Sequence, residues 1–336
     1  MIATIMEMEP AILCQTFKDG TTFRASDTYI RGWLHDALKW SRRKGTQAAH
    51  KLPNDWEDQV ERSFLRKVYL IKEYDLLSSL YVNSDQMQVV YAPSDKMTWA
   101  ETGARQIDLE GNDEKRAFTV LVSIANDGSL LPFQAIYHGG TTRSCPNVSA
   151  PHYDNAIKAS FRFEYSGTKT YWSNQKTMQD FVNHILAPYF ENAKKKAGRP
   201  PEQRCIWQID VWSVHRSIEF REWMKKNHPT IILDYVPGGC TGVAQPSDIG
   251  FQRGFKLSVK RSYHEDLVME IMDQSKRGEK VITLNNRLPV LRDRTVCWLW
   301  NAFKALNRPL FIKKVSNTYR GHQYLMLHAG LCSLSR

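Results

Sequence analysis

The chain has no Cys-x-x-Cys pair. Its six cysteines, Cys14, Cys145, Cys205, Cys240, Cys297 and Cys332, are scattered, and none stands with histidine at zinc-ligand spacing. That usage argues for a reducing compartment and against a structural zinc. No apolar run approaches the roughly 18–20 residues a membrane span needs. Met1–Pro10 carries two glutamates and lacks the basic segment of a signal peptide, so an intracellular protein away from membranes is expected. Internal repeats and low-complexity tracts are also missing.

Positive charge is in excess. Lys and Arg number 46 against 35 Asp and Glu, a net charge of +11 that favours a polyanionic partner, nucleic acid before membrane. The excess is uneven: residues 292–336 hold Arg292, Arg294, Lys304, Arg308, Lys313, Lys314, Arg320 and Arg336 against Asp293 alone. Charge by itself is equally the mark of a soluble basic protein with a solvated face. At 336 residues and 42% hydrophobic content, the chain is long enough to bury one large core and a small one.

From Ser26 to Trp40 the residues Tyr29, Ile30, Trp33, Leu34, Ala37 and Leu38 recur at helical spacing, with Ser26 as N-cap and Arg42, Arg43 and Lys44 following. A helix ending in a basic cluster fits part of a helix-turn-helix, and equally a packing helix with a solvated end. A second helix is predicted from Asn54 to Tyr74 on Val60, Phe64, Leu65, Val68 and Ile71, with the polar residues 45–56 as linker. Strands are predicted at Leu80–Asp85, Ala117–Ala125 and Leu130–Tyr137, the last two joined by the hairpin chemistry of Asn126-Asp-Gly-Ser129. Residues 139–173 read as an irregular insertion with a short strand-like Phe161–Tyr165. Asn174–Lys196 reads as a helix kinked at Pro188 and ended by Gly198.

The apolar, β-branched run Cys205-Ile-Trp-Gln-Ile-Asp210 is a buried strand with an acid at its tip. A helix (His215–Asn227), a strand (Thr230–Val236), a Gly-rich loop and a long helix from about Ser247 to Gln274 follow it. The order predicts a mixed sheet with helices on its faces.

Asp85 ends the first strand, Asp210 the later one, and Asp248 opens the long helix. Strand alternation places Tyr81, Asn83 and Asp85 on one face, and Ile206, Gln208 and Asp210 on one face, so adjacent strands present the two acids side by side. On the helix, Gln252 and Lys256 follow Asp248 at i+4 and i+8, offering a carboxylate to metal and a lysine to phosphate. Each aspartate alone reads as a cap, a turn or an exposed acid; their shared context points to a divalent-metal site. Phosphodiester chemistry asks for two cations about 3.5–4 Å apart, held by carboxylate oxygens. Three close carboxylates repel one another without metal, which makes cation binding favourable.

Asn83-Ser-Asp85-Gln, Asp113-Glu-Lys-Arg-Ala-Phe-Thr-Val-Leu-Val, Gly128-Ser-Leu-Leu-Pro-Phe-Gln-Ala-Ile-Tyr, Asp210-x4-His215 and Thr241-Gly-Val-Ala-Gln-Pro-Ser-Asp248-Ile-Gly occur in this order. Together they resemble the DDE superfamily endonuclease domain of the pogo, Tigger and jerky branch of mariner-like transposases, relatives of centromere protein B. The resemblance covers roughly residues 60–270. It implies an α/β, ribonuclease-H-like mixed sheet flanked by helices, with Asp85, Asp210 and Asp248 as catalytic acids holding two Mg²⁺ or Mn²⁺ ions. It implies DNA as partner, a homodimer, and no small-molecule cofactor beyond the metal. His215 matches a histidine after the second acid, read either as a contact near the metals or as a histidine satisfied by local backbone.

Residues 23–44 resemble the tail of the helix-turn-helix that precedes such nuclease domains, although its upstream part is missing. Residues 1–56 are therefore expected to form a partial DNA-binding region, 57–275 the endonuclease domain, and 276–336 a basic helical extension. Arg42, Arg43, Lys44, Lys256 and Lys260 are candidate DNA contacts. Arg199 joins them through the AT-hook-like Lys194-Lys-Lys-Ala-Gly-Arg-Pro-Pro201, whose other reading is a helix end with solvated lysines. Gln252 is a candidate accessory residue. Residence in the nucleus follows from the expected substrate and the basic charge. The competing function is a domesticated, non-catalytic DNA-binding protein that keeps the fold as scaffold.

Overall fold

The computed structural model describes residues 10–24, 26–44, 52–92, 97–101, 116–279 and 283–316. The strands are β1 (Trp40–Lys44), β2 (Tyr81–Val90), β3 (Met97–Glu101), β4 (Ala117–Ala125), β5 (Gln134–Tyr137), β6 (Arg162–Tyr165), β7 (Cys205–Ile209) and β8 (Ile231–Tyr235). They divide into a two-stranded sheet, β1 with β3, and a six-stranded sheet in the order β6-β5-β4-β2-β7-β8. The division follows two compact units, one drawn from residues 1–49 and 94–113, the other from 50–93 and 114–336.

In the first unit, helix α1 (Asp27–Leu38) starts where expected. Ser26 accepts a hydrogen bond from the Tyr29 N–H and so satisfies one of the free amides at the helix start. Lys39, at φ 56°, ends the helix in a left-handed conformation. The chain then enters β1, which pairs antiparallel with β3 from Trp40↔Glu101 to Lys44↔Met97. Arg42, Arg43 and Lys44 therefore lie on a strand rather than at a helix end, and α1 is followed by a β-ribbon. The linker residues 45–51 and the Asp113–Lys115 start of the second family-like motif lie outside the described residues.

The second unit is built on β4. Every one of its nine residues is buried, as a strand covered on both faces requires. It pairs antiparallel with β2 on one side and with β5 on the other, which confirms the three neighbouring antiparallel strands. β2 in turn pairs parallel with β7, and β7 with β8. This order and these directions are the ribonuclease-H-like arrangement.

Alternation of side chains splits the core into two layers. The helices that cover them are α2 (Trp56–Glu73), α3 (Gln175–Phe181), α4 (Ala187–Lys196), α5 (Ile218–Asn227), α6 (Gln252–Lys276), α7 (Leu288–Leu306) and α8 (Pro309–Ser316). On one sheet face Phe118, Val120, Val122 and Ile124 meet α6, its leading turn and α7, through Phe251, Phe255, Trp298 and Leu299. On the other, Val82, Leu121 and Trp207 meet Met178, Phe181, Phe190 and Phe220. Between α3 and α4 the helix widens into a π-turn, Val182–Leu186. Pro188 lies just beyond it and has no N–H to close a regular turn. No helix among the described residues is long and apolar enough to cross a membrane.

Within residues 139–173 the expected short strand is present: Arg162–Tyr165 pairs parallel with β5 and forms the sheet edge, with Phe161 buried behind it. One expectation is corrected. Residues 276–316 are not an extension outside the core. α7 buries Leu291, Thr295, Val296, Trp298, Leu299, Ala302 and Leu306 in the same core.

α2 also departs from its reading. Its buried residues are Val60, Ser63 and Lys67, while Leu65, Val68 and Ile71 face outward. Val60, with Phe64 and Trp56 beside it, packs on Val236, Cys240 and Ala244, and the rest of the inner side of α2 carries charge, Arg66 reaching the buried Asp234 on β8. Burial pulls the Lys67 amine from its ordinary 10.5 down to about 8, against the opposing pull of Asp234. Below pH 8 the folded and unfolded chains both hold this proton; between pH 8 and 10.5 only the unfolded chain does, so stability rises with pH across that window. Urea unfolding of wild type against Lys67→Met should show the wild type gaining, relative to the variant, up to about 3 kcal/mol across it.

Candidate functional site

The three acids arrive from three elements of the second unit. β2 and β7 run parallel in the register Tyr81↔Ile206, Val82↔Trp207, Asn83↔Gln208. Asp85 and Asp210 follow two residues beyond the last pair on the same side of each chain. Asp85 lies within β2, paired opposite Val122 of β4, and is buried; Asp210 immediately follows the end of β7. Asp248 lies on a π-turn, Ser247–Phe251, that runs into α6.

Gln252 joins two of them. Its Nε2 amide donates to both the Asp85 and the Asp248 carboxylates, and its Oε1 accepts from Lys256 Nζ at 2.8 Å. The lysine fixes which end of the amide faces the acids, because an ammonium can only donate. A neutral donor thus lies between two carboxylates, where it offsets part of their repulsion.

Burial, then the neighbouring Asp248, and further down Asp210, push the Asp85 carboxyl well above the ordinary carboxylate range; the Gln252 hydrogen bond opposes the shift. Bringing Asp85 in as a charged group is therefore costly for the protein alone. The donors are carboxylate oxygens throughout, the ligands that hard divalent cations take. Among the described residues, however, no three His, Cys, Asp or Glu side chains stand together at metal-ligand spacing. Asp85 and Asp248 meet through Gln252, whereas Asp210 engages His215.

His215 is 2% exposed and its Nδ1 lies 2.9 Å from Asp210 Oδ1 and 3.2 Å from the Asp210 carbonyl oxygen. Two acceptors on one nitrogen fix Nδ1 as the protonated one. The ring is enclosed by Trp207, Trp212 and Phe220, and its Nε2 has no hydrogen-bond partner among the described residues. Local backbone contact and the second acid thus account for His215 together.

The candidate DNA contacts scatter. Lys256 stands beside the acids. Lys260 follows one turn later on α6, in a shallow depression it shares with Leu257, Arg261 and His264. Arg42, Arg43 and Lys44 belong to the first unit. Arg199 pairs with Asp75 at 2.7 Å, and Lys194 is buried against Glu191, the Pro201 carbonyl and Thr230. Gly198, at φ 63°, and the Arg199 N–H to Lys194 carbonyl bond make this stretch a left-handed helix terminus. The Gly-Arg-Pro segment is thus committed to the fold.

Asn83, Gln208, Asp234 and Ser247 form a buried polar chain under the acids, which carboxylate spacing alone does not reveal. The sequence does carry a signal for it, since the alternation that pairs Asp85 with Asp210 puts Asn83 and Gln208 on the same faces.

A family model described as DDE superfamily endonuclease matches residues 114–307, more than half the chain. Asp210, His215, Asp248, Gln252, Lys256 and Lys260 fall inside the matched stretch, and Asp85 lies before it. No curated protein sequence matches. Among solved structures, the Mos1 mariner paired end complex with Mn aligns at a TM-score of 0.45 and 10% identity, covering 91% of this chain and 71% of that one. The catalytic domain of Mos1 mariner transposase aligns at a TM-score of 0.37 and 11% identity, covering 81% of this chain and 98% of that one.

Proposed function

The chain belongs to the DDE superfamily endonucleases, and on that premise we propose that it is a divalent-metal-dependent DNA nuclease and strand transferase whose Asp85, Asp210 and Asp248 hold two Mg²⁺ or Mn²⁺ ions. One observation carries this reading: a buried carboxyl, Asp85, is set beside Asp248 and within electrostatic reach of Asp210, an arrangement that costs stability unless a cation joins it. When bound, such ions activate the attacking oxygen and stabilise the leaving one.

The residues of the chain do the rest. Gln252 holds the Asp85 and Asp248 carboxylates that would take the ions, and its Oε1 is fixed by Lys256 Nζ. His215 keeps the Asp210 carboxylate oriented through the Nδ1 proton. Lys256 and Lys260, one turn apart on α6, hold the DNA backbone as point charges, so affinity falls with salt. Water and then a 3′-hydroxyl serve as nucleophile, DNA ends are brought together by a homodimer, and the place of action is the nucleus.

Supercoiled plasmid incubated with Mn²⁺ should be nicked by the wild type, and at least about a hundredfold more slowly by Asp210→Asn. DNA binding with no nicking by either protein would replace this reading with a non-catalytic DNA-binding role for the same fold.

A further inference from the structure

Beneath the acids a chain of buried polar side chains crosses three strands and ends on the turn that carries Asp248. It begins at the sheet edge, where Arg66 on α2 donates from Nε and Nη2 to Asp234 Oδ1 at 2.9 and 2.6 Å. Gln208 on β7 donates Nε2 to Asp234 Oδ2 at 3.3 Å, and Asn83 on β2 donates Nδ2 to Gln208 Oε1 at 3.2 Å. Asn83 Oδ1 then accepts from the Ser247 hydroxyl at 2.7 Å and from the Ser247 N–H at 3.2 Å. Asn83, Gln208, Asp234 and Ser247 are each at most 1% exposed.

The chain has a direction. A carboxylate only accepts, so Asp234 obliges Gln208 to present its Nε2 on that side and its Oε1 on the other. That oxygen in turn obliges Asn83 to present Nδ2 to β7 and Oδ1 to Ser247. Either amide turned over would leave two donors or two acceptors facing each other in a dry interior, which costs more than a missing bond at the surface.

What Oδ1 holds is the opening of the π-turn. A π-turn carries one residue more than an α-turn and is rare, occurring mostly as single turns inside α-helices and frequently at functional sites. Losing the extra residue would displace what precedes it by one position, about 100° around the helix. Asp248 lies in that turn, next to Ser247. A second strap, Gln245 Nε2 to the Ser84 carbonyl oxygen at 3.1 Å, fixes the same segment to the residue before Asp85.

We infer that Asn83 is a positioning residue of this site: by accepting both donors of Ser247 it holds the wide turn that aims Asp248 at Asp85, and Gln208 and Asp234 lock its amide in the one orientation that does so. This rests on the reading of Asp248 as a metal-holding acid. Leucine keeps the branching of asparagine, though it is larger, and offers Ser247 no acceptor.

The test is a Mn²⁺ titration followed by thermal shift on the full chain, with hydrogen exchange measured on residues 248–252 in EDTA. Asn83→Leu should raise the Mn²⁺ concentration for half-maximal shift by about tenfold or more and speed exchange in the turn. Phe190→Leu, in the core layer on the opposite sheet face, should lower the melting temperature while leaving both readouts at wild type. Should Asn83→Leu fail to fold, Ser247→Ala, which keeps the N–H contact and loses the hydroxyl, should give a smaller change of the same sign. An Asn83→Leu protein that melts earlier but keeps the wild-type Mn²⁺ midpoint and exchange rates would overturn the inference. A wild type with no Mn²⁺ shift would instead remove the metal reading, and the exchange rates would still decide whether Asn83 holds the turn.

Discussion

Replacing Asp85 with asparagine should lower Mn²⁺-dependent cleavage by roughly three orders of magnitude, about 4 kcal/mol of barrier, while raising the melting temperature of the protein in EDTA. The two effects have one cause. Asp85 is buried beside Asp248 and feels Asp210, so in the metal-free fold its charged form is disfavoured. Asparagine keeps an oxygen that accepts from Gln252 and carries no charge to bury. A residue that served only packing would lose stability on this change, so a rise in melting temperature together with lost cleavage separates a site acid from a structural one. Cleavage that survives in the variant would remove Asp85 from the metal set.

The same substitution predicts a pH signature. Because the folded-state value lies above the ordinary 3.8, the folded protein holds a proton that the unfolded chain has already released. In the window from 3.8 up to that raised value, stability in EDTA therefore falls as pH rises, and it is level below it. Asp85→Asn should lack this slope. With Mn²⁺ present the sign reverses in the wild type, since cation binding displaces the proton and gains as pH rises. Melting curves of the two proteins from about pH 4 to 8, with and without Mn²⁺, check both statements.

Much of this site is legible in the sequence. Period-two alternation puts Asp85 and Asp210 on matching faces of neighbouring strands, and helical spacing puts Gln252 and Lys256 on the face of Asp248. Tertiary chemistry is not legible there: that Gln252 reaches across to Asp85, 167 positions away, or that Arg199 is matched to Asp75, 124 positions away. No local pattern distinguishes an arginine paired to a distant acid from one left for DNA. The edge strand β6 shows in the sequence only as a short strand-like run, because it is four residues long and half-buried throughout; its place at the sheet edge, parallel to β5, does not show there.

The basic C-terminal segment misleads through its composition. Leu291, Thr295, Trp298, Leu299, Ala302 and Leu306 recur at intervals of three and four, the pattern of an inward face, yet Arg292, Arg294 and Lys304 stand between them and dominate a count of charge. Charged residues on the outer side of a helix say nothing about what its inner side meets.

A chain ended after Lys276 should therefore fail to fold, although the endonuclease-like motifs of the sequence end before that point. Such a truncation removes Leu291, Val296, Trp298, Leu299, Ala302, Ile312 and Val315 from the layer that covers Phe118, Val120, Val122 and Phe133. At about 1.5–3 kcal/mol for each of the six large buried side chains among them, the loss is about 9–18 kcal/mol, as much as the roughly 5–15 kcal/mol by which domains are ordinarily stable.

The segment also closes over the turn that carries Asp248. A Cβ on Gly250 would stand 2.9 Å from a Val315 methyl, and one on Gly254 would stand 3.1 Å from Leu306, so two glycines one turn apart admit the C-terminal helices. Phe251 packs against Phe311 with ring centroids 6.3 Å apart. The graded version of the experiment is Trp298→Ala. Trp298 is fully buried, meets the Tyr263 ring edge-on and donates Nε1 to Asp266 Oδ2 at 2.6 Å. Burial already raises the Asp266 carboxyl and the indole opposes that shift, so alanine leaves a cavity and an acid short of its donor. A loss of about 3–5 kcal/mol in urea unfolding is expected. A soluble, cooperatively unfolding fragment ending at Lys276 would show instead that the sheet holds its own layer without α7 and α8.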